Sequence, residues 1–293
     1  MKVLVVGKNG QVGSCLVEQL RQSPEVFLLA LDRIELDITH QQQVKKVVDE
    51  FKPDIIINAA AYTAVDKAEA NIELAYAINR DGPRFLAEAA ENINAAMLHI
   101  STDYVFSGDK YGIYNETDKT NPQSVYGESK LAGELVVQAA CTKHIILRTA
   151  WVFSEHGNNF VKTMLHLANT HDTLGIVGDQ YGGPTYAGDI AMTLINIANK
   201  IHYGDSGKFG IYHFSGEPHV NWSQFAQVVF EEAFKQQVIK KIPIINSITT
   251  AQYPTPAKRP GNSKLDTVLI QEQFTVKACD WKKALTNIKQ YVN

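Results

Sequence analysis

Short runs of consecutive apolar residues recur along the first half of the chain, at 3–6, 26–31, 55–57, 96–100 and 144–148. Continuous rather than alternating apolar runs indicate strands buried on both faces of a parallel sheet. Stretches with helical spacing lie between them, at 14–20, at 41–51 and from about 68 to 91, where Pro83 should kink or divide the helix. Another helix opens at Tyr126. Strand and helix in alternation predict an α/β, doubly wound parallel sheet of the Rossmann type, with ligands beyond the carboxyl ends of the strands. We assign residues 1–150 to this dinucleotide-binding core.

The second half is less regular. Asn158-Asn159 stands where an N-cap belongs, before a helical pattern at 160–168. A strand is expected at 174–177, a helix at 187–198, and a return to the sheet edge at 211–214. Beyond Val220 come an N-capped helix at 222–234, a loop-rich stretch with Pro243, Pro254, Pro256 and Pro260, and a last amphipathic helix at 280–292. Residues 151–293 therefore read as a smaller substrate-binding lobe that returns to the sheet at roughly 172–215.

Composition changes this picture only by exclusion. The 293 residues are 45% hydrophobic and 20% charged, with net charge −3, and no basic run exceeds a pair such as Lys240-Lys241. Nucleic acid and anionic membrane surfaces are not expected partners. Cys15, Cys141 and Cys279 are scattered and odd in number, as in a reducing cytoplasm. A strand beginning at Val3 leaves no room for a signal peptide, and no apolar run approaches the ~18 residues of a membrane helix. A soluble, cytoplasmic protein is expected. The nine histidines show no HxxxH or HxH spacing, so no metal site is expected.

The candidate chemistry sits at the predicted sheet edge. Gly7, Gly10 and Gly13, in the run Gly7-Lys8-Asn9-Gly10-Gln11-Val12-Gly13, permit a tight turn, close approach to a pyrophosphate and tight helix packing. The helix that follows offers free N–H groups and a positive dipole end to phosphate. Asp32 closes the second strand about 20 residues past the last glycine, where an acid accepts a hydrogen bond from the adenosine ribose. Asn58-Ala59-Ala60-Ala61-Tyr62-Thr63 supplies small residues beside a bound cofactor. Tyr126 and Lys130, four apart on one helix face, form a proton-transfer pair if the ammonium lowers the phenol's pKa. Two ordinary residues on a solvated face is the alternative. Convergence of Asp32, Ala61, Thr102 and the loop before Tyr126 on one edge favours the functional reading.

These motifs, with Ser101-Thr102-Asp103-Tyr104-Val105-Phe106, Val125 to Glu134, Gln180 to Thr185 and Tyr253 to Ser263, resemble the extended short-chain dehydrogenases/reductases almost end to end. Within them the chain is similar to the dTDP-4-dehydrorhamnose reductase family, to which Ala64–Glu69 and the last two motifs point. The resemblance implies hydride transfer from NADPH or NADH to the C4 carbonyl of dTDP-4-dehydro-L-rhamnose, giving dTDP-L-rhamnose for cell-surface polysaccharide. Carried over by position, Tyr126 is the proton donor, Lys130 holds the nicotinamide ribose and tunes Tyr126, and Thr102 bonds the carbonyl oxygen. Cofactor contacts fall on Gly10, Gln11, Val12, Asp32, Asp37, Ile38, Ala61, Tyr62 and Thr63, and sugar-nucleotide contacts on Thr102, Asp103 and Trp151. Arg33, adjacent to Asp32, suits the 2′-phosphate of NADPH, so both cofactors are expected to serve. Tyr62 stands where the family often has His. Some members dimerise through Mg²⁺ held by carboxylates, one of them early in the first helix; that position is Cys15, which predicts a monomer or a metal-independent homodimer. A dehydratase or epimerase is the nearest enzyme alternative, but Tyr104 follows Asp103 where dehydratases place Glu. A non-catalytic NADP-binding role, as in the regulatory subunit of methionine adenosyltransferase, is the alternative from another class.

Overall fold

The computed structural model describes residues 1–204 and 208–292. Six strands form the central sheet: β1 Lys2–Val6, β2 Phe27–Leu31, β3 Ile55–Asn58, β4 Ala96–Thr102, β5 His144–Thr149 and β6 Gly210–His213, in the order β6-β5-β4-β3-β1-β2. All five pairings are parallel. Val3 lies between Leu28 and Ile55, and Leu98 between Ile57 and Ile145.

The continuous apolar runs have their cause in this packing. Side chains alternate across a strand, so Val3, Val5, Ile55 and Ile57 enter one core layer while Leu4, Val6 and Ile56 enter the other. Helix α1 (Gln11–Leu20) and helices Ala187–His202 and Trp222–Lys235 contribute to the first layer. Helices α2 (Gln41–Phe51), α3 (Gly82–Asn92) and α4 (Val125–Ala140) contribute to the second. Ile55, Ile56 and Ile57 are at most 1% exposed; full burial of such a side chain is worth roughly 1.5–3 kcal/mol.

Pro83 does not divide the helix in two. A separate α-turn, Val65–Ala68, comes first; then Ile72–Tyr76, a π-helical segment Ala77–Asp81 and α3 follow one another without a gap, the wide turn standing just before the proline. Proline offers no N–H to the preceding turn, and the wider coil places Asn79 at the sheet edge, buried.

Two expectations need correction. Of the stretch 172–215, only β6 returns to the central sheet; Thr173–Val177 pairs instead with Ile244–Ile248, in parallel, as a separate two-stranded sheet. Its alternating burial, with Leu174 and Ile176 in the core and Gly175 exposed, suits a one-sided ribbon rather than a doubly covered strand. The helix expected at 280–292 stops at Leu285 and resumes as a 3₁₀ segment, Ile288–Val292. The Thr286 hydroxyl and N–H both bond the Lys283 carbonyl, at 2.7 and 3.1 Å, taking the acceptor that α-helix continuation requires. No helix among the described residues is long and apolar enough to cross a membrane.

Candidate active site

The glycine-rich turn is closed by backbone contact. Gly7 has φ +83°, and a Cβ there would stand 2.6 Å from the Ala60 nitrogen; a Cβ on Gly13 would stand 2.1 Å from the Gly7 carbonyl oxygen. Gly13 is buried in this packing and lines neither cavity described below, so its role is the close seating of α1 on β1. Gly10, extended at the N-cap of α1, leaves the first-turn N–H groups of that helix facing outward without a side-chain cap.

Beyond this turn lies a groove of about 460 Å³ lined by Gly7, Gly10, Asp32, Arg33, Asp37, Ile38, Ala61, Tyr62 and Thr63. The Asp32 carboxylate accepts bonds from the Ile34 and Glu35 N–H groups and from Asn9, at 2.9, 3.1 and 3.0 Å. The Glu35 backbone bond, then the Ile34 bond, the Lys8 charge and the Asn9 bond, hold its carboxyl below the usual range against desolvation. It is therefore an ionised acceptor with a free lone pair. Arg33 is largely exposed beside it and lies 3.7 Å from Asp37. Tyr62 is fixed through its backbone: its N–H donates to Asn79 Oδ1 at 2.8 Å, and Asn79 Nδ2 donates to the Tyr62 carbonyl and to Ser129 Oγ.

The groove continues into a second cavity of about 700 Å³, lined among others by Gly10, Gln11, Val12, Ala61, Thr63, Thr102, Asp103, Tyr126, Lys130 and Trp151. Helix α4 carries Tyr126 and Lys130 to its floor. Ser124 caps that helix by accepting from the Gly127 N–H at 3.2 Å, and Glu69 accepts from the Val125 N–H at 2.9 Å. Both are favourable at a helix N-terminus. The helix lies close to its neighbours because a Cβ at Gly133 would meet the Asn79 carbonyl oxygen at 2.0 Å.

Lys130 and Tyr126 lie on one face, and the ammonium is engaged by backbone. Lys130 donates to the Ile100 carbonyl at 2.7 Å. Burial pushes its ammonium down to about 8, against the opposing pull of Glu134. Desolvation raises the Tyr126 phenol well above its ordinary value; a bond with Thr102 opposes this, while Asp103 and Tyr104 add to it. Removal from water is the largest of these influences on Tyr126. Tyr126 thus stays protonated at neutral pH, the state a proton donor requires. Under Lys130, Glu134 is fully buried and takes the Arg148 guanidinium at 2.9 and 2.6 Å and the Ser101 hydroxyl at 2.6 Å.

The sequence assigns no individual role to Arg259 or Ser263, though both lie in the Tyr253 to Ser263 motif, while Asp103 and Trp151, expected at the site, line the second cavity. Arg259 reaches it from the proline-rich loop, paired with Asp66 at 2.7 Å and 3.3 Å from the Tyr104 hydroxyl. Ser263 donates to the buried Asp103 carboxylate, which also accepts from Thr102 at 3.0 Å. Burial lifts Asp103 to about 6, with the bonds from Ser263 and Thr102 opposing the rise. Trp151, with φ +48°, is held in a conformation rare for a bulky residue. The Asp66 and Glu69 contacts explain chemically why an acid-bearing turn follows the three alanines.

The Mg²⁺ that the resemblance raises finds no suitable ligand set at Cys15. The early α1 position is a buried thiol, and Glu155 and His156 are the other potential ligands that surround it. Thiol and imidazole are poor ligands for this hard cation.

A doubly wound sheet, a glycine-rich first turn and a Tyr-xxx-Lys pair facing the groove define the short-chain dehydrogenase/reductase class. The family model described as "RmlD substrate binding domain" matches residues 1–293. A dTDP-4-dehydrorhamnose reductase of Aggregatibacter actinomycetemcomitans is 53% identical over 290 residues, 99% of each chain. Among solved structures, the Clostridium acetobutylicum enzyme of that name is 39% identical with TM-score 0.90, covering 98% of both chains. The Bacillus anthracis one, in complex with NADP, is 35% identical with TM-score 0.90 over 98% of this chain and 97% of that one. The chain belongs to the dTDP-4-dehydrorhamnose reductase family.

Proposed function

We propose that this protein reduces dTDP-4-dehydro-L-rhamnose to dTDP-L-rhamnose, with NADPH or NADH, in nucleotide-sugar biosynthesis. The observation that carries the reading is that Thr102, Tyr126 and Lys130 all line the cavity into which the dinucleotide groove continues. The bound dinucleotide supplies the hydride. The protein supplies position, a proton and an electrostatic setting for the oxygen that becomes a hydroxyl. Tyr126 donates the proton, and Thr102 holds the carbonyl oxygen in line. Lys130 would turn its ammonium from the Ile100 carbonyl toward the nicotinamide ribose, where its charge favours proton release from Tyr126. Gly7, Gly10, Gln11 and Val12 hold the pyrophosphate at the α1 N-terminus, while Asp32, Arg33, Asp37 and Ile38 meet the adenosine end, with Ala61, Tyr62 and Thr63 along the groove. Asp103 and Trp151 contact the sugar nucleotide. No step requires Mg²⁺, and the protein acts as a monomer or a metal-independent homodimer.

A dehydratase is disfavoured because Tyr104 supplies no carboxylate and Asp103 is tied to Ser263. Cofactor oxidation on addition of the ketosugar tests the reading. Turnover is expected; tight cofactor binding without turnover would instead favour the binding-only role.

A further inference from the structure

A second group of side chains, on the far side of α1, is not used by this chemistry. Cys15 and Glu18 lie one turn apart on α1, and Glu155 and His156 lie in the loop after the short strand Val152–Phe153. Ligand atoms of Cys15, Glu155 and His156 all fall within 4.8 Å of one another. Glu18 Oε1 stands 3.2 Å from His156 Nε2, but not in hydrogen-bond geometry, and that nitrogen and Glu155 Oε2 are buried atoms with no hydrogen-bond partner. The other Glu155 oxygen is oriented by the Tyr186 hydroxyl at 3.0 Å. The backbone of the loop is fixed from outside the group: Ser154 and Asn159 both donate to Gln11 Oε1 at 3.0 Å.

From this we infer that Cys15, Glu155 and His156, with Glu18 as a fourth donor, form a binding site for a borderline divalent cation of the zinc class. A thiolate, an imidazole and carboxylates suit that class and not Mg²⁺. Metal–ligand bonds of about 2.0–2.3 Å set ligand atoms roughly 3.3–3.7 Å apart around a tetrahedral ion. The Cys15, Glu155 and His156 ligand atoms, within 4.8 Å of one another, need draw together by only about 1 Å, a change within reach of the Glu and His side-chain torsions. Tyr186 then serves as the outer partner that orients a ligating carboxylate. Gly157 and Asn158 of the same loop line the second cavity, so a bound ion would pin that wall of the cleft to α1. The site makes no use of the proposed reaction.

Cobalt(II) is the probe, titrated into the full-length, chelator-treated protein. Stoichiometric tetrahedral visible bands with a near-ultraviolet thiolate-to-cobalt transition are expected, displaced by Zn²⁺ and not by Mg²⁺. Cys15→Ser should abolish the thiolate transition. His156→Gln, at a partly exposed position where folding is secure, should weaken Zn²⁺ by about tenfold or more in competition with a chromophoric chelator. Absence of the thiolate transition in the unmodified protein, its survival in Cys15→Ser, or unchanged Zn²⁺ affinity in His156→Gln would overturn the assignment. None of these readouts depends on turnover.

Discussion

Trp151 lies flat against Trp222, with ring centroids 3.5 Å apart and planes 9° from parallel. The stack is backed on the Trp151 side by Gly182, where a Cβ would stand 2.6 Å from the indole, and Trp222 is anchored by its N–H to Gln180 at 3.2 Å. Two elements of the second half thus hold Trp151 in its left-handed conformation. An aromatic pair of this kind is worth about 0.5–1.5 kcal/mol, so Trp222→Leu should raise KM for the sugar nucleotide roughly two- to tenfold. NADPH affinity should stay unchanged. Steady-state kinetics in both substrates measure this, and an unaltered KM would remove Trp151 from the substrate site.

Tyr126→Phe keeps the ring, and so the edge-on contact with Tyr104 at 5.4 Å, while removing the proton. General acid catalysis is worth typically 10²–10⁴-fold, so kcat should fall by about that factor with NADPH binding retained. Lys130→Ala should impair both. Stopped-flow cofactor oxidation with fluorescence titration separates the two effects. More than a tenth of normal turnover in the Phe variant would assign the proton to another group.

The pH dependence follows from which group titrates first. Tyr126 remains protonated throughout the assay range, whereas Lys130 loses its proton near 8. Its charged form predominates below that value, so kcat/KM should decline as pH rises through about 8. Glu134→Gln removes the carboxylate that favours the ammonium and leaves Arg148 unpaired. The alkaline limb should move to lower pH, and the broken buried pair should cost about 3–5 kcal/mol of stability by urea titration. A limb unmoved by this change would mean that Lys130 is not its source.

On the proposed reading, cofactor choice rests on neighbours with opposite charge. Asp32 favours the free ribose hydroxyl and Arg33 the 2′-phosphate. NADH and NADPH should therefore serve within about tenfold of each other, a gap of ~1.4 kcal/mol. Arg33→Ala should tilt the ratio toward NADH and Asp32→Ala toward NADPH. Steady-state kinetics with each cofactor decide it; a preference of several hundredfold in the unmodified enzyme would show that one of the two does not engage the ribose.

The sheet and its glycine-rich turn were legible because their causes are local: a run buried on two faces has to be continuously apolar, and a backbone-to-backbone approach demands glycine. Tyr126 and Lys130 were legible as neighbours because four residues make one helical turn. Their mutual influence was not, since it depends on burial and on the Ile100 carbonyl that claims the ammonium. Arg259, Asp66 and Ser263 were illegible as partners because nothing near each of them in the chain names the other. The ribbon formed by 173–177 was misassigned for a similar reason: its partner comes some seventy residues later.

Two of the bonds that shape the cleft join residues 193 and 160 positions apart, Arg259 to Asp66 and Ser263 to Asp103. Closing loops of that size carries an entropic penalty that no local propensity offsets, and contacts of long sequence separation slow folding. The consequence is temporal. Strands β1 to β3 and the glycine-rich turn can assemble from the first sixty residues, while the cleft wall waits for the last forty. Pulse-labelled hydrogen exchange during refolding should find the amides of β1 and β3 protected before those of 257–263. Simultaneous protection would mean that the two bonds form within the folding nucleus itself. In this chain, then, the glycine-rich groove is expected to take shape early, and the cleft wall that carries Arg259 to be the last thing the polypeptide completes.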